Sequence, residues 1–292
     1  GLHSGPIRFF LVGSSHRELI LAGADASMAA RTEGAAHAGE IAVSAATAAL
    51  LPVSAVRPRD DGTLLLRWRQ AAGAPTPRRG EPPASPGLLR GLFPAQLGGV
   101  LERGPPEPEH RVACLAFVRF SGTDELLRSA GPDALAAALQ ATVSMAQEAL
   151  DAEGVTLLAI DIDNDGGKLF LGSGVPTASE DDEGRMLRAL RRIVDRGAPL
   201  PLQAGVHRGH VFAAEVGAAW RAAYSAMGDT TNTAARICAK APAGAIYAHP
   251  SVLDNSRTLF EAQPAGPFLF KGKKVAQVVY RVGEETGTRS RA

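Results

Sequence analysis

The sequence predicts an α+β fold in which helices lie on one mostly antiparallel sheet. Three observations carry this. Residues 109–284 read in the order βαββαββ, the order of a sandwich with its helices against the sheet. Of the 292 residues, 45% are hydrophobic and 21% charged, which is ordinary globular composition and excludes a disordered or fibrous chain. Nine of the 20 prolines fall between residues 71 and 110, so a stiff seam separates that region from residues 1–70.

The elements follow in order. Arg111 to Val118 (RVACLAFV) is a short apolar run ended by Ser121-Gly122, the signature of a buried strand. Pro132 stands where a helix begins. Leu135, Leu139, Val143, Ala146 and Leu150 then recur at three- and four-residue spacing until Gly154 stops the helix. VTLLAI and KLFLG are strands around the turn-forming DIDNDGG. SEDDEGRMLRALRRIVDRG opens with acids and closes with arginines, matching a helix dipole. LPLQAGVH and HVFAAEVG are expected to form a hairpin across His207-Arg208-Gly209. A helix follows Gly228 over about Thr230 to Ala241, and three short strands close the domain. The stretch LLRGLFPAQLGGVLE inside the seam predicts a short packing helix. The expected organisation is therefore 1–70, a proline-rich linker 71–108, a complete domain 109–284 and a loose polar tail 285–292.

Charge and cysteine use narrow the function classes. A net charge of +1 argues against a dedicated nucleic-acid binder or a polybasic membrane module. No apolar run approaches the length needed to span a bilayer. Cys114 and Cys238 stand far apart without metal-ligand spacing, which fits a reduced, cytoplasmic setting better than a disulfide framework. The sequence opens at Gly1, without methionine or a leader pattern, directly in an apolar strand, and is read as a fragment.

An internal repeat is the most informative feature. GLHSG at 1–5 matches GVHRG at 205–209, and Val12-Gly13 matches Val216-Gly217 at the same offset. After a one-residue slip, Gly23, Arg31, Gly39 and Ile41 correspond to Gly228, Arg236, Gly244 and Ile246. Generic turn-plus-helix similarity rarely keeps three glycines and an arginine in register. Residues 1–70 thus read as the rear half of a second copy.

YSAMGDTTNTAAR (Tyr224 to Arg236) resembles the signature of class III nucleotidyl cyclases: a strand ending in Gly-Asp, then a helix with Asn and Arg four residues apart. LQAGVHRGHVFAAEVG resembles the preceding hairpin of that family, and PFLFKGKKVAQVVYRV its closing strand pair. AFVRFSGTDEL resembles its opening strand, and VPTASEDDEGRMLRALR the helix after its third strand. The tandem arrangement looks most like the bacterial relatives of soluble adenylyl cyclase. The resemblance implies a ferredoxin-like βαββαβ catalytic domain. It also implies conversion of ATP (or GTP) to the cyclic nucleotide plus pyrophosphate, in a cleft between two head-to-tail domains, with Mg or Mn held by two aspartates of one of them.

Carried over residue by residue, the resemblance makes Asn232 the ribose-orienting residue and Arg236 the α-phosphate ligand. Their i, i+4 spacing puts both on one helix face, and a guanidinium stays charged and grips phosphate with two N–H groups. A surface arginine beside an asparagine cap is the plain alternative. Ser225 falls at the purine-reading position, where a hydroxyl leaves base choice open. Lys271 and Lys273 of the Lys-Gly-Lys turn would reach the β- and γ-phosphates, or form a merely solvated turn.

The metal side departs from the family. Arg119 stands where the first metal aspartate should, and a fixed cation repels Mg²⁺. The second position is Asp165 or Gly167, depending on the anchor used. Asp161, Asp163 and Asp165 do not make an EF-hand loop, since Gly172 occupies the place of its closing glutamate. In the front copy Arg31 is kept but Ser27 replaces the asparagine, so a cleft combining Arg119 with Ser27 is expected to be dead. The other cleft would join Asn232 and Arg236 to metal aspartates from an absent front half or a homodimer partner. His207 and His210 read as turn or packing histidines. An inactive nucleotide- or anion-binding regulatory module is the alternative function, and a pure dimerisation domain a third.

Overall fold

The computed structural model describes residues 1–67, 91–101, 104, 106–218 and 221–289. The expected linker lies largely outside the described residues, except that its predicted packing helix is present as Ala95–Leu101.

In chain order, the front copy contains strands Arg8–Val12 (β1) and Glu18–Ala22 (β2), and helices Ala24–Gly34 (α1) and Ala45–Ala48 (α2). Strands Val56–Pro58 (β3) and Leu64–Leu66 (β4) complete it. After Ala95–Leu101 (α3) come Glu109–Ser121 (β5), Thr123–Glu153 (α4), Thr156–Asp163 (β6), Gly166–Ser173 (β7) and Asp182–Asp195 (α5). Leu202–Ala218 (β8), Arg221–Met227 (β9), Asp229–Cys238 (α6), Ile246–Ala248 (β10), Pro250–Asn255 (α7), Thr258–Pro264 (β11) and Tyr280–Thr288 (β12) follow.

One sheet runs β11-β12-β10-β8-β5-β7-β6, with β9 paired to β8. Every pairing described in it is antiparallel except β8 with β10. The apolar run of β5 is buried on both faces. Cys114, Ala116, Val118 and Phe120 join α4 and α5 in one core, while Ala113, Leu115 and Phe117 join α6 residues in another. Alternation in a strand buried on both sides produces this split. Within α4, Gly131 has φ 84° and ψ 179°, so the helix breaks there and restarts at Pro132, the start read from the sequence.

Two expectations are corrected. No hairpin crosses His207-Arg208-Gly209. The β8 strand runs unbroken there, paired to β5 from Phe120↔Leu202 to Glu109↔Ala213. Gly205 and Gly209 serve clearance instead of a turn. A Cβ on Gly205 would sit 2.0 Å from the Cys238 nitrogen, and one on Gly209 2.6 Å from Thr230 Oγ1. Their missing side chains let α6 lie against the strand. The tail is also not loose from Glu285: β12 continues to Thr288, which pairs with Thr258. Backbone pairing with β11 outweighs the polar composition there.

The repeat is structural as well as sequential. Arg8↔Ala22 through Val12↔Glu18 in β1–β2 reproduces Phe212↔Met227 through Val216↔Ala223 in β8–β9, with the one-residue slip taken up in the turn. Gly1 lies against Glu33 and Gly5 against Asp25, as Gly205 lies against Cys238 and Gly209 against Thr230. The parallel bridge Leu2↔Val43 repeats Val206↔Ala248.

Candidate functional site

The α6 helix is anchored by buried Thr230, Thr233, Ala234, Ile237 and Cys238. Burial raises the Cys238 thiol to a pKa of about 11, so it stays neutral in the core. The opposite side of α6 carries Asp229, Asn232 and Arg236 at i, i+3 and i+7, one stripe along the helix. Asn232 is exposed and Arg236 half-buried, and among the described residues neither side chain makes a hydrogen bond or ion pair. An uncommitted guanidinium beside an uncommitted amide is available to a ligand.

The Lys-Gly-Lys turn closes over the start of this stripe. Lys273 Nζ donates to Asp229 Oδ2 at 2.5 Å, and the ammonium holds that carboxyl below the usual range. Gly272 faces Arg236: a Cβ there would lie 3.9 Å from its Nη2. Lys271 is exposed. Ser225 is half-buried on β9 opposite Ala214, on the strand that enters α6 through Gly228 (φ 138°). Beneath the turn, the His207 and His249 rings meet edge-on at 4.6 Å. Burial, and then His249, push the His207 pKa down to about 4. His210 is exposed on the same strand.

The front copy presents the same helix differently. Ser27, in the asparagine position, is 1% exposed. Its hydroxyl donates to Asp124 Oδ1 at 2.9 Å and accepts from the Asp165 N–H at 2.8 Å. Arg31 Nη1 donates to Asn164 Oδ1 at 2.7 Å. Arg119 Nε donates to Asp163 Oδ2 at 2.7 Å and its Nη2 to the Asn164 carbonyl at 3.0 Å. This cleft is filled by its own side chains. The β3–β4 turn of the front copy is only Arg59–Thr63, with no counterpart of the Lys-Gly-Lys turn, a difference the sequence comparison missed.

A divalent metal does not fit this second cleft. Arg119 occupies one ligand position. Gly167 pairs with Phe120, whose ring fills the space a side chain at 167 would take, with Cζ 2.5 Å from an added Cβ. Asp165 has its carboxylate on the Gly122 and Asp124 N–H groups at 3.1 and 2.9 Å, holding the start of α4. Among the described residues no group of three His, Cys, Asp or Glu side chains could hold a metal.

Residues 168–283 match the family model described as adenylate and guanylate cyclase catalytic domain. That region is similar to the catalytic domain of this cyclase family. An adenylate cyclase of Mycobacterium tuberculosis and one of Mycobacterium bovis are each 26% identical over 238 residues, covering 76% of this chain. The chain spans about half (52%) of the length of these relatives. The cyclase-domain fold recurs in the adenylyl cyclase CyaB from P. aeruginosa, at TM-score 0.53 and 18% identity over 63% of this chain and 100% of that one. It recurs also in the catalytic core of a rhodopsin-guanylyl cyclase with converted specificity, at TM-score 0.52 and 21% identity over 61% of this chain and 98% of that one. No helix among the described residues is long and apolar enough to cross a membrane.

Proposed function

We propose that this chain supplies the substrate-orienting side of a nucleotidyl cyclase site formed with a second domain, converting ATP to cyclic AMP and pyrophosphate. The observation that carries the reading is the contrast between the two copies of one helix. Ser27 and Arg31 are consumed in contacts, whereas Asn232 and Arg236 are uncommitted, with Lys273 beside them. In this reading Arg236 grips the α-phosphate and Asn232 fixes the ribose, so that the 3′-hydroxyl oxygen attacks phosphorus as the bond to the pyrophosphate oxygen breaks. Position and electrostatics dominate such a transfer, and Arg236 needs no reorganisation to meet the charge that develops. Ser225 contacts the base with one hydroxyl, which serves adenine or guanine. The carboxylates for Mg or Mn belong to the partner domain.

The burial pattern of the two hairpins supports that partnership. Phe10, Val12, Ile20 and Ala22 of β1–β2 are buried in the core that α4 shares, while Phe9, Leu11 and Leu19 on the other face are 53–63% exposed. In β8–β9 the roles reverse. Val211, Ala213, Tyr224 and Ala226 are buried on their own sheet, while Val216 and Met227 are each 38% exposed. A partner carrying strands and a helix like β5–α4 would cover both exposed faces.

Arg119 favours one other reading, an inactive nucleotide- or anion-binding module. One experiment separates the two: cyclic AMP and cyclic GMP are assayed with this chain alone and mixed with a cyclase domain that retains both metal aspartates. The expected result is no product from the chain alone with Mg²⁺ or Mn²⁺. Product should appear in the mixture and fall about 100-fold or more with Arg236→Ala. Nucleotide binding without product in the mixture would favour the regulatory module. Activity of the chain alone that Asp165→Ala abolishes would overturn the proposal.

A further inference from the structure

We propose that Asp229 is the resident counter-ion of the phosphate rim, an internal anion that a polyphosphate must displace from Lys273, so that it sets which anions the rim accepts. This rests on the reading of Arg236 and Lys273 as phosphate ligands. Asp229 is the first residue of α6 and shares the stripe of Asn232 and Arg236. Its carboxylate is 67% exposed, yet it holds Lys273 at 2.5 Å, whose side chain is only 25% exposed. The Lys-Gly-Lys turn is thereby tied down against the helix, with Gly272 facing Arg236. Two cations needed by one polyanion thus share a rim with a single carboxylate, which hydrogen-bonds Lys273 and feels Arg236 only through space.

The consequence is a threshold set by charge. Displacing Asp229 costs the ion pair and places a carboxylate near the incoming anion. A singly phosphorylated ligand recovers little of this through one contact. A triphosphate spans Lys273 and Arg236 together and recovers more. Asp229 therefore filters against small anions, and against the product pyrophosphate more than against the substrate triphosphate. The front copy is consistent with this role. Ala24 stands there at the position of Asp229, with no carboxylate and no Lys-Gly-Lys turn to guard.

The test is calorimetric binding of inorganic tripolyphosphate, pyrophosphate and orthophosphate to the 292-residue chain, without added divalent metal. Asp229→Asn and Asp229→Ser should both bind pyrophosphate about 5- to 10-fold more tightly, and tripolyphosphate about 2- to 3-fold more tightly. In a Lys273→Ala background the Asp229→Asn gain should shrink to less than about 2-fold, a coupling that a purely structural role for Asp229 would not produce. Unchanged or weaker binding in both Asp229 variants, or an equal gain without Lys273, overturns the inference while leaving the phosphate reading intact. Binding to the unmodified chain that Arg236→Ala and Lys273→Ala leave unaltered overturns the phosphate reading itself, and the inference with it.

Discussion

Replacing Ser27 by alanine should loosen α1 from the β6–β7 turn and the start of α4 without unfolding the fold around them. The hydroxyl is 1% exposed and makes two hydrogen bonds across the joint, to the Asp124 carboxylate at 2.9 Å and from the Asp165 N–H at 2.8 Å. A hydrogen bond to a charged group contributes about 1.5–3 kcal/mol, and a buried N–H left without a partner costs about 1–3 kcal/mol. Water entering the widened joint recovers part of this, so the net loss of docking is about 2–4 kcal/mol. At 1.4 kcal/mol per decade, the undocked population rises about 30- to 700-fold. Amide hydrogen exchange reads this directly. Protection of Ala24–Gly34 should fall by that factor, while Asp229–Cys238, the same helix in the other copy, keeps its own. Arg31→Ala removes one exposed bond to a neutral amide and should shift exchange less than tenfold. Unchanged protection of α1 in the Ser27 variant, with the fold intact, would refute the argument that these contacts hold the joint.

Two further outcomes follow from the same geometry. Gln147 is 1% exposed and ties the β1–β2 turn to α4, accepting from the Ser14 N–H at 2.7 Å and donating to the His16 carbonyl at 2.9 Å. Gln147→Ala should cost about 2–3 kcal/mol of docking and expose residues 13–17 to limited proteolysis, whereas uncut chains at matched protease would count against it. The His207 pKa of about 4 lies below the ordinary value of 6.5, because burial and then His249 disfavour the charged ring. The unfolded chain therefore binds more protons between those values. The ring's contribution is complete above pH 6.5 and is lost as pH falls toward 4. Melting temperature should drop over that window, and His207→Gln should flatten the drop. A variant with the same acid limb would show that other groups govern it.

Much of the candidate site was legible because its residues are local in sequence. Asn232 and Arg236 share one helix, and helical spacing alone aligns them; Asp229, on the same stripe, was not singled out. The glycines of GVHRG were also visible, but their purpose was misread. In sequence a glycine marks a turn or a close approach equally well, and only α6 packed on β8 decides for the second. Asp165 was ambiguous for a similar reason. Whether a carboxylate faces a metal or a helix start depends on register, and the pairing of Gly167 with Phe120 places the Asp165 carboxylate on the N–H groups that open α4.

By itself, the sequence determined the α+β fold, the internal repeat and the resemblance to cyclases. Periodicity, glycine positions and a local signature are properties of the chain before it folds. Tertiary structure alone decided which copy of the shared helix remains available. Ser27 differs from Asn232 by a small polar side chain, and Arg31 matches Arg236 in type. Their fates diverge because α1 is pressed onto the β6–β7 turn and the start of α4, where Asn164, Asp165 and Asp124 take up their hydrogen-bonding capacity. The α6 helix faces the Lys-Gly-Lys turn instead, and among the described residues the Arg236 side chain makes no hydrogen bond or close ion pair. A side chain's chemistry is written in the sequence, but whether it is already spent is set by what the fold packs against it.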